Sequence, residues 1–213
     1  MLEKIRWLGH DSFLFDAAQK IYIDPWQLPK GLPTADLVLI THEHGDHCSP
    51  DDVKKVQGPG TVILAPALAA KKLAGDVRVV QPGDQVTIQG ILVEAVPAYN
   101  VNKFRQPGVP FHPKEARHVG YIVEVEGQRI YHAGDTDVIP EMDDVRADIA
   151  LLPVSGTYVM TVDEAAEAAK AIQPRVAIPM HIGRGVAGSP DDLERFRSLC
   201  PPEVQVVVLD QEA

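Results

Sequence analysis

Cysteine is almost absent from this sequence: two of its 213 residues, Cys48 and Cys200, are cysteines. They lie far apart and outside any C-x-x-C spacing, which excludes a disulfide framework and a thiolate zinc site. Cys48 adjoins a histidine and invites reading as a thiolate ligand, but a small buried residue supporting a helix cap is the preferred reading. Positive charge is also short. With 20 Lys+Arg against 30 Asp+Glu the formal net charge is −10, which disfavours tight binding to nucleic acid unless a local basic patch exists. No apolar run approaches the roughly 20 residues that span a bilayer, so no membrane partner is expected. The opening "MLEKIRWLGHDSFLFDAAQK" lacks the basic and then apolar regions of a secretory leader. The expected location is cytoplasmic.

What is present suffices for a core. At 45% hydrophobic, the chain is long enough for one domain spanning 1–213, and no Pro-, Gly- or Ser-rich linker divides it. Short apolar runs such as "KIRWLGH", "SFLFDAA", "KIYIDPW" and "ADLVLI" alternate with turn residues, as do "TVILAP", "VRVV", "QVTI", "ILVEAVPA", "VGYIVEVEG" and "RIYHAG", and all of these read as strands. A short helix is expected around Leu68 to Leu73. The second half then alternates "ADIALLPV", helix "VDEAAEAAKAI", "RVAIPMH", helix "DDLERFRSL" and a last strand "VQVVVLD", a rhythm that implies crossover connections. Serine caps with proline at the first helical position stand at Ser49 and Ser189, and Thr161 with Glu164 forms a capping box. "ADLVLI" and "ADIALL" each lead through a polar loop into a capped helix, which hints at two related halves.

The stretch "THEHGDHCSP" (41–50) crowds His42, Glu43, His44, Asp46 and His47 between a strand and a capped helix. That is the strand-end position where ligands of open α/β sheets gather. In extended backbone His42 and His44 point the same way, and Gly45 permits a turn that re-aims Asp46 and His47, so the four can serve two neighbouring metal positions. The zinc motif H-E-x-x-H fails, because Asp46 stands where its second histidine belongs and the residues precede the helix. Glu43 reads as an exposed spacer.

On "THEHGDH" the chain resembles the metallo-β-lactamase superfamily of metal-dependent hydrolases. The resemblance implies an α+β chain layered as a four-layer αββα sandwich, with a metal site at one edge. It implies that Asp135 in "YHAGDTD" bridges two metals and that His181 in "IPMHIG" is the last metal histidine. His42 and His44 would hold one ion; Asp46, His47 and His181 would hold the other. Where many members carry a glycine-histidine, this chain has "VPAYN", with Tyr99 and Asn100 in that place; His112 or His118 could replace the missing ligand, with His112 favoured because His118 precedes a strand as a surface residue would. "WLGHDSF", "YIDP", "YHAGDT" and "PMH" point toward the branch with ascorbate-6-phosphate lactonase-like hydrolases.

Around that framework, His10 stands either beside the metals in a catalytic role or as a hydrogen-bonded structural histidine. His132 reads as substrate-facing or supporting rather than purely structural, and Asp24 as an acceptor fixing a ligand histidine's tautomer. Trp7, Trp26 and Phe13 belong to core or pocket wall. The segment 99–118 carries Lys103, Arg105, Lys114 and Arg117 against Glu115 alone; it is either a solvated loop or, with Tyr99 and Asn100, a rim that binds a small anionic substrate. Two divalent ions, zinc first and manganese or iron as alternatives, would activate a shared hydroxide to cleave an ester, lactone or phosphodiester; Asp46 could orient or deprotonate it. A ribonuclease of the transfer-RNA-processing type and a non-catalytic metal-stabilised binding protein are the alternatives. Oligomeric state stays open, a homo-oligomer included.

Overall fold

In the computed structural model, residues 1–212 are described; Ala213, the end of the expected domain span, lies outside them. The first half runs β1 (Ile5–Gly9), β2 (Ser12–Asp16), β3 (Lys20–Ile23), β4 (Leu37–Leu39), α1 (Pro50–Val56), β5 (Val62–Ala65), α2 (Ala67–Ala70) and β6 (Asp76–Val79). The second runs β7 (Gln85–Ile88), β8 (Ile91–Pro97), β9 (Phe104–Gln106), β10 (Val109–Pro110), β11 (Val119–Val125), β12 (Gln128–His132), β13 (Ile149–Pro153), α3 (Val162–Ile172), β14 (Val176–Met180), α4 (Pro190–Leu199) and β15 (Gln205–Val206). Strands β1 to β6 form one sheet in sequential order, and a second is ordered β15-β14-β13-β12-β11-β8-β7. Each half repeats one succession: an antiparallel hairpin, β2–β3 or β11–β12, followed by three parallel strands.

Alternation of side chains along the strands builds the layers. Phe13, Phe15, Ile21, Ile23, Leu37, Leu39 and Leu64 join Tyr121, Val123 and Ile130 in one core between the sheets. Their neighbours Leu14, Tyr22, Val38, Ile40 and Ile63 face the other way, against Val53 and Val56 of α1 and Ala69 of α2. On the far side α3 packs on β13 with Ala165, Ala168, Ala169 and Ile172 buried. The result is the four-layer αββα sandwich.

Two expectations are corrected. The last strand shrinks to Gln205–Val206, because the tail leaves the second sheet for the edge of the first: Glu212 N–H donates to Trp7 O at 2.9 Å and Arg6 Nε to Glu212 Oε1 at 2.6 Å. The segment 99–118 is not all loop, since β9 and β10 pair as a hairpin. Its strands are too short and exposed to show burial periodicity.

One side chain ties the sheets together just behind the ligand loop. Tyr121, fully buried on β11, donates from its hydroxyl to Ile40 O at 2.8 Å, with Leu64 O at 3.3 Å. Tyr121→Phe should destabilise the protein by about 1 to 3 kcal/mol, the range for stranding a buried hydrogen-bonding group. A shift in denaturant midpoint at unchanged slope checks this.

Candidate metal centre

Five loops deliver the site, and each leaves a strand end. The β4–α1 loop brings His42, His44, Asp46 and His47; the turn expected near Gly45 is there, with the N–H groups of His47 and Cys48 both donating to His44 O. It is pinned downstream where Ser49 Oγ accepts the Asp52 N–H at 3.3 Å and the Asp52 carboxylate accepts from Gln27 and Leu28 N–H. Asp135 follows β12, His181 follows β14, and His10 sits in the β1–β2 turn. The fifth loop carries His112 beyond the β9–β10 hairpin. His10, Asp24 and His181 have φ values of 53°, 46° and 61°. Such left-handed backbone is uncommon for residues with a side chain and is retained where surrounding structure enforces it, often at functional sites.

Asp135 is 4% exposed and sits at the focus. Its Oδ2 lies 3.2 Å from His112 Nε2, 3.3 Å from His181 Nε2 and 4.0 Å from His42 Nε2, and its Oδ1 lies 3.3 Å from His47 Nε2. His44 Nδ1 is 3.1 Å from His42 Nε2 and 3.2 Å from His112 Nε2. Nitrogens tetrahedrally bound at about 2.0 to 2.1 Å are separated by about 3.3 Å, so this triplet is spaced as the ligands of one ion. His112, the histidine favoured to stand in for "VPAYN", is thus the one brought beside His42 and His44. His118 is no surface residue: it is 3% exposed and its Nε2 faces Glu43 Oε2 at 3.0 Å, so Glu43 is no free spacer either.

The far nitrogen of four of these rings is held. His47 Nδ1–H donates to Asp24 Oδ2 at 2.8 Å, the bond expected of Asp24. His42 Nδ1–H donates to Thr41 Oγ1, whose hydroxyl donates at 2.6 Å to the same carboxylate oxygen. His112 Nδ1–H donates to Asn100 Oδ1 at 3.0 Å and His181 Nδ1–H to Ser155 Oγ at 2.8 Å. These bonds place a proton on Nδ1 and make Nε2 the atom turned to the centre, free to lose its own proton to a cation. The inner atoms His47 Nε2, His181 Nε2 and Asp135 Oδ1 are buried with no hydrogen-bond partner. Such orphans are expensive unless something fills the gap, and the donor set of imidazoles and carboxylates suits a divalent cation.

The electrostatics agree. Burial opposes charge on His47 and His181, yet Asp135, aided by Asp24 at the first and Asp11 at the second, holds them up at about 10 and about 9. Burial pushes His112 down to about 3 and His10 to about 4. Asp135, despite burial, is held well below the usual carboxylate range by His181, His47 and His112.

Other sequence-predicted residues fall elsewhere. His132 is corrected: it pairs with Tyr121 on the inter-sheet face, where Nε2–H donates to Asp11 O and Nδ1 accepts the Gly134 N–H, so no nitrogen is free for substrate. Tyr99 is turned away, its hydroxyl donating to Glu141 and its ring under Lys114. Lys114 pairs with Glu141 at 2.8 Å, and Lys103 with Glu164 at 2.7 Å and Asp137 at 3.4 Å, so neither offers an unneutralised charge to an anion. Asn100 Oδ1 accepts from both the ring and the backbone N–H of His112. Arg105 lies 5.6 Å from the ring of Phe111, which lines the cleft. Sequence reasoning missed Thr41, Ser155 and Asp137; the last accepts from Asn100 Nδ2 and from the N–H groups of Val101 and Asn102. A second aspartate in "GDTD" was the available signal.

A cleft of about 230 Å³ opens on this centre, lined by His44, Asp46, Phe111, His112, Asp135, Tyr158 and Val186. Larger hollows near Arg129 and Cys200 hold no comparable cluster. Ser155, His181 and Asp135 line up as a nucleophile, base and orienting acid would. That chemistry is disfavoured, because His181 Nδ1 carries the proton it donates to Ser155 Oγ and Ser155 does not line the cleft.

Comparison with known proteins now decides the family. Residues 4–181 match the family model for the beta-lactamase superfamily domain. This chain belongs to the metallo-β-lactamase superfamily. Within it, the chain is 32% identical to a UPF0173 metal-dependent hydrolase of Pyrococcus abyssi, covering 97% of this chain and 96% of that one. It is 35% identical to one of Thermoplasma acidophilum, over 92% and 90%. A solved structure described as a metal-dependent hydrolase from Parabacteroides distasonis superposes with TM-score 0.83 at 34% identity, over 98% and 93%. The metallo hydrolase Igni18 of Ignicoccus hospitalis shares the fold at TM-score 0.76 and 23% identity, over 98% and 95%. The chain is thus a metal-dependent hydrolase of this superfamily. The relatives' names stop at that description and do not reach the lactonase-like branch. No helix among the described residues is long and apolar enough to cross a membrane.

Two outcomes follow for the metal-free protein. His10 and His112 have folded values depressed below the usual 6.5, so the stability tied to their neutral forms is present above pH 6.5 and is lost as pH falls toward about 4 and about 3. His47 and His181 are raised, so their share is full below pH 6.5 and is lost as pH rises toward about 10 and about 9. Thermal melts from pH 3 to 10 should therefore show a maximum between these limbs, and zinc titration at pH 8 should release about two protons, measured calorimetrically in buffers of different ionisation enthalpy. Asn100→Ala should weaken binding of one ion about 10- to 100-fold, the usual effect of losing a ligand's hydrogen-bond partner, with the melting profile retained.

Proposed function

We propose that this hydrolase cleaves an ester, lactone or phosphodiester bond in a small anionic substrate with two divalent ions, zinc first and manganese or iron as alternatives. The observation that carries the reading is the convergence of four ring-locked histidines on the buried Asp135. His42, His44 and His112 would hold one ion, His47, His181 and Asp46 would hold the other, and Asp135 would be available to both. Divalent cations supply Lewis acidity there and make water available as a nucleophile near neutral pH.

The chain's own groups handle protons and shape. Asp46 lies at the lip of the cleft; burial favours its neutral form, but His10 and His47 outweigh it and keep the carboxylate ionised. Its Oδ2, 3.5 Å from His10 Nε2, can accept a hydrogen bond from the attacking water and so orient it. Phe111 and Tyr158, packed edge to face at 4.9 Å, wall the cleft and limit solvent access. A volume of about 230 Å³ falls below the roughly 300 to 1,000 Å³ typical of drug-sized ligands, so the substrate is compact. Arg105 is the group placed to meet its negative charge. With Lys103 and Lys114 neutralised internally, nothing favours an RNA substrate over a small one.

Metal-replete protein should turn over bis(p-nitrophenyl) phosphate, a p-nitrophenyl ester or a simple lactone. His44→Ala should lower that rate by at least about a hundredfold through loss of a ligand. A metal-replete protein inert toward all three bond types would refute the proposal.

A further inference from the structure

One wall of the cleft comes from the segment between β13 and α3, which carries Tyr158. That segment is firmly held. Gly156 N–H donates to Met160 O at 2.9 Å, Met160 N–H donates to Thr136 O at 3.1 Å, and Val159 and Met160 are fully buried. Tyr158 O accepts from Asn100 Nδ2 at 3.0 Å, and the Tyr158 ring lies 4.9 Å from that of Phe111 and 6.4 Å from that of His181. The hydroxyls of Tyr22, Tyr99 and Tyr121 donate within the chain, whereas among the described residues the Tyr158 hydroxyl has no partner. The rest of the lining offers a bound molecule little to accept from. Asp46 and Asp135 are carboxylates, which only accept, and Phe111 and Val186 are hydrocarbon. His112 Nδ1–H is taken by Asn100, and His44 turns its Nδ1 to the other two rings of its triplet. Among the described residues no lysine or arginine lines the cleft. Apart from the ligand ring of His44, Tyr158 therefore carries the one side-chain donor there.

We infer that Tyr158 is a catalytic residue: its O–H donates a hydrogen bond to the departing oxygen of the scissile bond as negative charge gathers there. The inference rests on the hydrolytic reading above, and it sets Tyr158 at the departing oxygen where Asp46 serves the attacking water. The water oxygen bonds to the carbonyl or phosphoryl centre. The bond from that centre to the departing oxygen breaks with its electron pair passing to that oxygen, which takes up one proton as the water gives up another. Tyr158 keeps its own proton throughout. A donor already held where charge develops stabilises that charge without reorganising. The effect is greatest when the departing group is an alkoxide, whose charge stays on its oxygen. The substrates favoured are compact esters of aliphatic alcohols, lactones included, with Phe111 and Val186 beside the carbon chain.

Tyr158→Phe removes the hydroxyl and keeps the ring, so circular dichroism and metal content by mass spectrometry should match wild type. Zinc-loaded full-length protein is assayed on p-nitrophenyl acetate and on ethyl acetate, which share an acyl group and differ in the charge left on the departing oxygen. Tyr158→Phe should lower kcat on ethyl acetate about 100-fold, the effect of removing one donor at developing charge, and on p-nitrophenyl acetate less than about threefold, with KM for both within about twofold. A second measurement needs no turnover. Phenylphosphonate presents three oxygens about one tetrahedral centre, as the reacting carbon does part-way, and calorimetry should show Tyr158→Phe binding it about tenfold more weakly than wild type. Equal affinity of the two proteins for phenylphosphonate, measurable or nil, would overturn the inference, as would an equal loss of rate on both acetates. Phenylphosphonate binding that depends on Tyr158, in a wild type inert toward every ester, lactone and phosphodiester, would instead sink the hydrolytic reading alone.

Discussion

An imidazole can bind a cation through one nitrogen only if the proton sits on the other, and the whole centre is organised around that requirement. Thr41, Asp24, Asn100 and Ser155 each accept the outward N–H of one histidine. Asp24 serves two rings at once, His47 directly and His42 through the Thr41 hydroxyl, so a single carboxylate sets two tautomers and two ring orientations. The cost is a set of buried inner nitrogens with nothing to bond in the bare chain. That arrangement makes little sense as packing, and it becomes economical once a cation is the partner.

The fold supplies the convergence. Because each half is a hairpin followed by parallel strands, the carboxyl ends of β3 and β4 in one sheet and of β12, β13 and β14 in the other reach a common rim. Asp24 and Asp135 follow the second hairpin strand of their respective halves, and the signature loop and the Ser155 loop both follow the first parallel strand. Equivalent places in two halves thus play complementary parts, one carboxylate fixing ligands from behind and the other facing them. Tyr121 fixes the spacing between the halves where the ligand loop begins.

Much of this was legible from residues alone. Alternating and capped segments located nearly every strand and helix, since their burial follows local periodicity. The "THEHGDH" cluster announced itself because five ligand-type residues stand within six positions. What escaped depends on distance along the chain. His132 looked functional by proximity to Asp135, yet two-residue alternation turns it between the sheets. His118 looked peripheral, and it is buried by the loop that carries Glu43. Asp11 carried no spacing signal, because its partners lie in other loops, and the second aspartate of "GDTD" was the one trace of Asp137.

The basic segment shows how a charge pattern can mislead about function while disclosing structure. Lys103 lies against Asp137 and Glu164, and Asp137 also gathers Asn100 Nδ2 and two backbone N–H groups. Asn100 in turn takes both the ring and the backbone N–H of His112. The positive charge therefore belongs to a chain of contacts that ends on the ring of His112, beside His42 and His44. With Lys103 and Lys114 held by these carboxylates, the basic segment serves to fasten the loop that carries His112, and Phe111 and Tyr158 wall the cleft in front of it.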